Sequence, residues 1–300
     1  MLRRRTFKLR LPSGTLSLGQ RTLIMGVLNV TPDSFSDGGR YLGIDAAVNR
    51  ALEIERAGAD LLDIGAESTR PGSIGVSVNE ELRRILPVLE KLRGKIKIPI
   101  SIDTSKSEVA EAAAALGAKI LNDVTALHND PRIAEVARRR KLPIILMHMR
   151  GEPRTMQKGP FAKDVVRDVL AGLRRSIALA RTAGVPKSQI IIDPGVGFGK
   201  NYAQNLALLA RLPELAKLGY PLLVGTSRKG FIGHILRTQS HQGSTNDDRL
   251  WGTAAAVAAS IMQGAHIVRV HDIAEMVQVG RVTDAILSPG SIAPRRNSAR

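Results

Sequence analysis

The chain alternates between short apolar runs and longer stretches in which apolar residues recur every three or four positions. The short runs are continuously apolar rather than alternating, which is typical of parallel strands that are buried on both faces. The predicted strands are Thr22–Leu28, Leu61–Ile64, Pro99–Ile102, Lys119–Asn122, Pro143–Met147, Ile190–Ile192, Leu222–Val224 and Ile267–Val270.

Helical patterns fill the segments between these strands. Examples are Asp45–Ala57, Glu80–Leu92, Ser105–Leu116 and Asp164–Ala183, and a further helix is predicted to start with Asp130 as its N-cap and Pro131 at its first position. Eight strands that alternate with helices predict an α/β fold, a closed (β/α)8 TIM barrel. An open doubly wound sheet is the alternative, but no Gly-x-Gly-x-x-Gly motif follows the first strand.

The two ends of the chain flank a single predicted domain. No linker-like stretch divides residues 1–300, and the barrel is predicted over about residues 21–287 with basic tails outside it. Within residues 1–20, Phe7, Leu9 and Leu11 alternate with polar residues, a turn follows, and the alternation resumes, which predicts a β-hairpin covering the bottom of the barrel. Residues 237–248 are polar and are predicted to form a mobile insertion.

Composition excludes several classes of protein. The chain has no cysteine, so disulfides and thiolate metal sites are excluded. This absence suits a protein of a reducing compartment. The basic N-terminus lacks the apolar region of a secretion signal, and no apolar run approaches the ~20 residues that span a bilayer. We expect a cytoplasmic protein with no membrane contact.

The net charge of +17 raises the possibility of nucleic-acid binding. The charge is scattered, however, and aromatic residues make up only 3% of the chain, too few for a base-stacking platform. We therefore expect a solvated basic surface and no nucleic-acid partner.

Polar residues follow almost every predicted strand. Because activity in this barrel is located at the carboxyl ends of the strands, these residues predict a ligand site. They are Asn29, Asp63, Asp103, Asn122, His148, Asp193, the run Ser227–Lys229, Arg269 and His271.

Each of these residues also has a structural interpretation. Ser105 and Glu108 are spaced as a capping box for the next helix, which leaves Asp103 without a capping task and favours a functional role. Asp193 begins an Asp-Pro-Gly turn, although turn and function are compatible. Asn122 has the alternative of bonding the backbone as a buried amide.

Basic residues on the other side of the predicted site suit an anion. Arg269 and His271 lie two residues apart on one strand and share a face, which suits a phosphate or pyrophosphate. The alternative for Arg269 is an ion pair with a neighbouring carboxylate. Lys229 has the alternative of a solvated surface lysine, and Met147 and His148 are typical wall residues rather than ligands.

The most distinctive run, residues 28–39, joins hydroxyls, carboxylates, glycines and one aromatic residue in a single loop. Asn29, Asp33 and Asp37 offer hard oxygen donors of the kind that bind Mg²⁺ together with substrate phosphates. The loop is predicted to close over a polar ligand.

Five motifs resemble those of the bacterial dihydropteroate synthases, in the same order along about residues 21–287. They are Asn29–Gly38, Glu67–Gly72, Asp193–Gly199, Ser227–Gly230 and Arg269–Asp272. The resemblance implies a dimeric (β/α)8 barrel that condenses (7,8-dihydropterin-6-yl)methyl diphosphate with 4-aminobenzoate, releasing diphosphate and forming 7,8-dihydropteroate in folate synthesis. It also implies a Mg²⁺ cofactor and inhibition by sulfonamides.

The same resemblance implies a role for each matching residue. The pterin would contact Asp103, Asn122, Met147, Asp193, Phe198 and Lys229; the diphosphate, Asn29, Thr69, Arg269 and His271; and 4-aminobenzoate, Phe35, Arg70, Pro71, Ser227 and Arg228. Asn29 and Asp37 would bind Mg²⁺. Catalysis would fall to Asp103, Lys229, Arg269 and His271.

Two other functions remain open at this point. A methyltetrahydrofolate-dependent methyltransferase uses the same barrel, but it binds no diphosphate and would not need the loops at residues 29–38 and 67–72. A catalytically idle pterin-binding protein would keep the pocket without the reaction.

Overall fold

A computed structural model describes residues 4–31, 39–68, 73, 75–152, 154–239 and 249–289. Two strands, β1 (Phe7–Leu11) and β2 (Gly14–Leu18), form an antiparallel hairpin. The remaining strands are β3 (Leu23–Asn29), β4 (Leu61–Gly65), β5 (Ile100–Asp103), β6 (Ile120–Asp123), β7 (Ile144–Met147), β8 (Ile190–Asp193), β9 (Leu223–Val224) and β10 (Ile267–Val270). The helices are α1 (Gly39–Arg56), α2 (Val78–Leu92), α3 (Ser107–Ala115), α4 (Arg132–Arg140), α5 (Val165–Thr182), α6 (Tyr202–Ala210), α7 (Leu212–Ala216), α8 (Gly230–Gln239), α9 (Arg249–Met262) and α10 (Ile273–Leu287).

The eight strands from β3 to β10 form one parallel sheet. Its order is β8-β7-β6-β5-β4-β3-β10-β9, and a bridge between Ile192 and Leu222 joins β8 to β9, so that the two ends of the sheet meet. This closure confirms the predicted barrel and excludes the open doubly wound sheet. The predicted strands agree with the observed ones to within one residue at nearly every end, because continuous apolar runs bounded by polar residues mark buried parallel strands clearly.

Helix starts are fixed by side chains that accept backbone N–H bonds. Ser77 accepts from Glu80 N at the start of α2, and Asp164 accepts from Val166 N and Arg167 N at the start of α5. Asn201 and Gln204 form a reciprocal capping box on α6. These caps satisfy donors that have no partner within the helix.

The predicted capping box of Ser105 and Glu108 is wrong. Helix α3 begins at Ser107, and the N–H of Ser107 donates to Asp130 Oδ2 at 2.9 Å. The cap is therefore supplied by a carboxylate from the following β-α loop, a contact that local spacing could not reveal. Asp130 also accepts from Arg132 N at 3.1 Å, and α4 begins at Arg132, one residue later than predicted.

The barrel interior contains a compact apolar lower layer. We define the lower layer as the inward-facing residues Leu61, Ile120, Ile145, Ile191, Leu223 and Ile267, which cluster with Leu23, Met25 and the hairpin residues Leu9 and Leu18. Leu9 and Leu18 are 1% and 0% exposed, so the hairpin covers the bottom of the barrel as predicted. A larger apolar core fills the space between the outer faces of the strands and the helices.

The start of the polar insertion predicted at residues 237–248 is helical. Residues 237–239 continue helix α8, and residues 240–248 lie outside the described residues. Across the part of the chain that the structure describes, no helix is both long enough and apolar enough to cross a membrane.

Candidate active site

On four of its strands, β4, β6, β8 and β10, the barrel interior changes from apolar to polar within two residues. We define the upper layer as the residues two positions after those of the lower layer: Asp63, Asn122, Met147, Asp193, Gly225 and Arg269. Side chains two apart on a strand point to the same face, so the upper layer lies inside the barrel directly above the lower layer. Together with Asp103, it forms a polar bowl at the carboxyl end of the strands.

Arg269 is shared by two carboxylates in this bowl. Its Nε donates to Asp63 Oδ2 at 2.7 Å, and its Nη2 donates to Asp103 Oδ2 at 2.8 Å. Asn122 Nδ2 donates to the same Oδ2 of Asp63 at 3.0 Å. The ion-pair alternative for Arg269 is therefore realised, and the Asn122 amide bonds a side chain rather than the backbone. With Nδ2 committed to Asp63, the Oδ1 of Asn122 is left as an acceptor.

Burial acts strongly on these charges. Asp63 is 0% exposed, and burial raises the pKa of Asp103, a rise that the Arg269 guanidinium opposes. Burial also acts to lower the pKa of Arg269, but the adjacent Asp63 and Asp103 outweigh it and leave that pKa raised. The guanidinium is thus firmly charged, and the two carboxylates compete for it.

Asp193 combines a turn with a position in the bowl. Its Oδ1 accepts the N–H of Gly195 at 2.7 Å, and its carbonyl accepts the N–H of His148 at 2.9 Å. Gly195 has φ +65°, and a Cβ there would lie 1.9 Å from the His148 carbonyl oxygen, so only glycine fits. Burial raises the pKa of Asp193, opposed by the Gly195 N–H and by Lys229.

Lys229 faces the site rather than bulk solvent. Its Nζ lies 4.0 Å from the centre of the Phe198 ring, a cation–π contact. Burial lowers the pKa of Lys229, and the charge of Asp193 partly restores it. Phe198 and Lys229 are both half-buried, so together they form an accessible wall of the bowl.

The loops after β9 and β10 meet at the rim. His271 Nδ1 lies 3.0 Å from Ser227 Oγ, and Arg228 pairs with Asp272. Burial and the charge of Arg269 lower the pKa of His271 to about 4, so the imidazole is neutral at neutral pH. His271 can therefore meet an anion through a hydrogen bond rather than through a charge.

Other predicted site residues are placed less directly. Asn29 ends β3, half-buried and in register with Gly65, whose own neighbour on β5 is Asp103. Met147 is 4% exposed and pairs in register with Asp193, in the wall of the bowl. Six predicted residues lie outside the described residues: Asp33, Phe35, Asp37, Thr69, Arg70 and Pro71. Among the residues that are described, no three His, Asp or Glu side chains converge as a metal site.

Two buried residues were given no role by sequence reasoning. Asp63 was recognised as a strand-end residue, yet its bridging of Asn122 and Arg269 depends on contacts between distant strands. Lys200 is 2% exposed behind the Gly195–Gly199 loop. Its only sequence signal is a lysine directly after a glycine-rich turn, which resembles any surface lysine.

Comparisons with known proteins show the family to which the chain belongs. The family model described as "Pterin binding enzyme" matches residues 25–271. The chain is 47% identical over 268 residues to the dihydropteroate synthase of Synechocystis, which covers 89% of this chain and 91% of that protein.

Solved structures give the same result. The dihydropteroate synthase of Clostridium difficile, crystallised in the presence of pteroic acid, is 45% identical with a TM-score of 0.83, covering 90% of this chain and 98% of that one. The Xanthomonas albilineans enzyme with 4-aminobenzoic acid is 42% identical with a TM-score of 0.86, covering 95% and 99%.

Proposed function

The chain belongs to the pterin-binding enzymes and, within them, to the dihydropteroate synthase family, and from that premise we propose how its residues carry out the reaction. Enzymes of this family transfer a pterin-methyl group to an arylamine. The residue assignment rests on the upper layer, in which carboxylate and amide acceptors lie beside cations, directly above the apolar lower layer.

The pterin is proposed to bind across the bowl. A pterin presents ring N–H and amino donors side by side, and the Asp193 carboxylate can accept two of them in parallel. Asn122 Oδ1 is a further acceptor, since its Nδ2 is bonded to Asp63. Met147, Phe198 and Lys229 are proposed as the walls, with the heterocycle lying against the Phe198 ring.

Bond breaking is proposed to separate charge between the two sides of the site. Cleavage of the CH₂–O bond leaves positive charge on the pterin methylene and negative charge on the diphosphate. The Asp103 carboxylate is proposed to stabilise the methylene, and Arg269 and His271 the diphosphate. The Asp63 and Asp103 contacts of Arg269 use the N–H of Nε and one N–H of Nη2, so Nη1 and the second N–H of Nη2 are the donors proposed to meet the ligand. The arylamine nitrogen then attacks the methylene and loses its proton.

Mg²⁺ is proposed as the cofactor. The donor chemistry fits, because Mg²⁺ commonly takes one or two protein oxygens and fills its remaining positions with water and substrate phosphates. Asn29 offers an amide oxygen at the end of β3, and Asp37 is the second proposed ligand. When bound, the ion would neutralise charge on the departing diphosphate.

The 4-aminobenzoate site is proposed to be formed by Phe35, Arg70, Pro71, Ser227 and Arg228, with Thr69 and Asn29 linking it to the diphosphate. A sulfonamide carries the same aniline ring with an anionic group para to the amine, so it should compete with 4-aminobenzoate. We expect calorimetry to detect sulfonamide binding only when pyrophosphate and Mg²⁺ are present, because the diphosphate holds the loops that form the site.

A homodimer working in the cytoplasm is also proposed. The exposed large apolar side chains on α9 and α10, Trp251, Met262, Val282 and Ile286, offer surface for a second copy. The absence of cysteine suits a reducing compartment. Light scattering after gel filtration measures the oligomeric state, and a monomer at micromolar concentration would refute the dimer.

One assay tests the function. Pyrophosphate release from the pterin diphosphate is measured with and without 4-aminobenzoate, in Mg²⁺ and in excess chelator. We expect release that depends on both 4-aminobenzoate and Mg²⁺. No release in any condition would indicate an idle pterin-binding protein, and full activity in chelator would remove the metal from the reaction.

A further inference from the structure

Lys200 is a buried cation that bonds the backbone of two loops. Its Nζ lies 2.8 Å from Phe198 O and 2.9 Å from Gly195 O, and also 3.1 Å from His148 Nδ1 and 3.3 Å from His148 O. No carboxylate among the described residues is bonded to it. Burying an ammonium group costs free energy unless other groups compensate its charge. The position of Lys200 therefore indicates a role beyond packing.

The loop between β8 and α6 supplies that explanation. Its carbonyl groups at Gly195 and Phe198, and that of His148 on the neighbouring loop, converge on one point. Converging carbonyl dipoles repel one another, and a cation between them removes the repulsion. The imidazole of His148 can accept there because burial and the Lys200 charge lower its pKa to about 3, which keeps it neutral.

The same loop is held from its other side by Asn205. The N–H of Gly197 donates to Asn205 Oδ1 at 2.6 Å, and Asn205 Nδ2 donates to the Lys200 carbonyl at 3.2 Å. Gly199 has φ +67°, and a Cβ there would lie 2.1 Å from Arg150 O. At Phe198 the backbone is bonded at both groups, since its N–H donates to Gly195 O at 3.1 Å and its carbonyl accepts from Lys200, while its ring contacts Lys229 at the site.

We propose that Lys200 is a positioning residue for the pterin pocket, because it holds the backbone of Phe198 so that the ring meets Lys229 and the flat heterocycle. This inference rests on the proposed function, since it assigns Phe198 to the pterin wall. Lys200 acts from behind the loop and through Phe198. Burial lowers the pKa of Lys200 to about 7, and the negative charges of Asp193 and Asp168 oppose this decrease.

The experiment compares K200M with F198A and with the double variant. Met has a similar length and no donors, and K187M is a matched control, because Lys187 is an exposed lysine outside the site. Calorimetry measures the affinity of each folded protein for 6-hydroxymethylpterin. We expect K200M and F198A each to weaken binding about tenfold, within the range that loss of an aromatic stacking partner costs. K187M should bind like the wild type.

The double variant separates positioning from general damage. If Lys200 acts through Phe198, adding K200M to F198A should weaken binding less than about threefold further, because residues that act through one another are not additive. Independent tenfold losses, or K200M binding within twofold of the wild type, would overturn the inference. If K200M does not fold, the same cycle is run with K200Q, which keeps two donors. A wild-type protein that binds no pterin would instead refute the proposed function.

Discussion

The lower and upper layers of the barrel interior lie two residues apart on the same strands, yet on four of these strands the lower residue is apolar and the upper one is polar or charged. Leu61, Ile120 and Ile191 belong to the lower layer, are fully buried and cluster with the apolar residues of the hairpin. Asp63, Asn122 and Asp193 stand one step higher on the same three strands and form hydrogen bonds and ion pairs.

This difference separates stability from function within one barrel. The lower layer gains free energy from removing apolar surface from water. The polar bowl above it has the opposite effect, because charged groups are buried there: burial raises the pKa values of Asp103 and Asp193 and lowers that of Lys229. Two buried oxygens of adjacent strands, Asp63 Oδ1 and Ser101 Oγ, have no hydrogen-bond partner among the described residues. Such groups are tolerated where they serve a ligand rather than the fold.

Asp103→Asn should have the largest effect and should fall on turnover alone. The substitution keeps size and removes the negative charge that is proposed to face the developing cation, and losing one such group typically lowers kcat by ~10²–10³. Steady-state kinetics measures the loss. Thermal unfolding should stay close to the wild type, and exposed Asp45→Asn serves as the control. Turnover within about threefold of the wild type would show that Asp103 does not act in this way.

Ile191→Ala, a substitution in the lower layer, should lower the stability of the fold and leave turnover unchanged. Ile191 is 0% exposed in the lower layer, and truncating a buried isoleucine should destabilise the fold by about 3 kcal/mol through lost transfer energy and a cavity. Urea unfolding measures this change. At 25 °C the folded variant should keep its turnover, and a large loss of kcat with unchanged stability would contradict the division into two layers.

Acid should lower the folding stability by protonating His266, which lies at the lower end of the barrel. Its Nδ1 accepts from Leu222 N and its Nε2 bonds Arg5 O, and burial lowers its pKa to about 4. Because the unfolded chain binds the proton more readily, stability contributed above pH 6.5 is lost as the pH falls from about 6.5 toward 4. The loss attributable to this group should reach about 2 kcal/mol by pH 5.

Unfolding measured at pH 7 and pH 5 tests this prediction with His266→Gln. The variant should be less stable at pH 7, but it should lose less stability between the two pH values than the wild type does. An equal loss in both proteins would assign the acid sensitivity to other groups, such as His148 and His271, whose pKa values burial also lowers.

Gly225→Ala should have the smallest effect. A Cβ at Gly225 would lie 3.7 Å from Arg269 Cβ, an ordinary contact, so stability should change by less than about 0.5 kcal/mol. The matched control is Gly26→Ala, whose Cβ would lie 2.4 Å from Ile54 Cγ2 and should destabilise by about 1–3 kcal/mol. Calorimetric unfolding of the pair measures both, and a large loss at Gly225 would show that the space beside Arg269 is needed for packing.

Sequence patterns predicted the positions of the site residues better than their contacts. Asp103, Asp193 and Arg269 were located correctly at the carboxyl ends of strands, because the period of a strand and the closure of a parallel barrel place those ends together. The sharing of Arg269 between Asp63 and Asp103 was not predictable, because it depends on how side chains from three strands meet inside the closed barrel.

The capping of α3 and the burial of Lys200 were not predictable from the sequence, for a related reason. Local spacing favoured Ser105 as the cap, but a carboxylate from the next loop, Asp130, reaches Ser107 first. Lys200 has the sequence context of a surface residue, and only the convergence of carbonyl groups from two loops makes it a buried cation.

The sequence by itself determined the barrel, the hairpin beneath it and the list of polar residues at its upper end, since these follow from continuous apolar runs, from the alternation in the hairpin, from the helical period of 3.6 residues and from chain order. The tertiary structure alone decided which of those residues pair, which are buried and which line the bowl. The physical reason is that hydrophobic patterning is a local property of the chain, whereas ion pairs and pKa shifts depend on distances of a few ångströms between segments far apart in sequence.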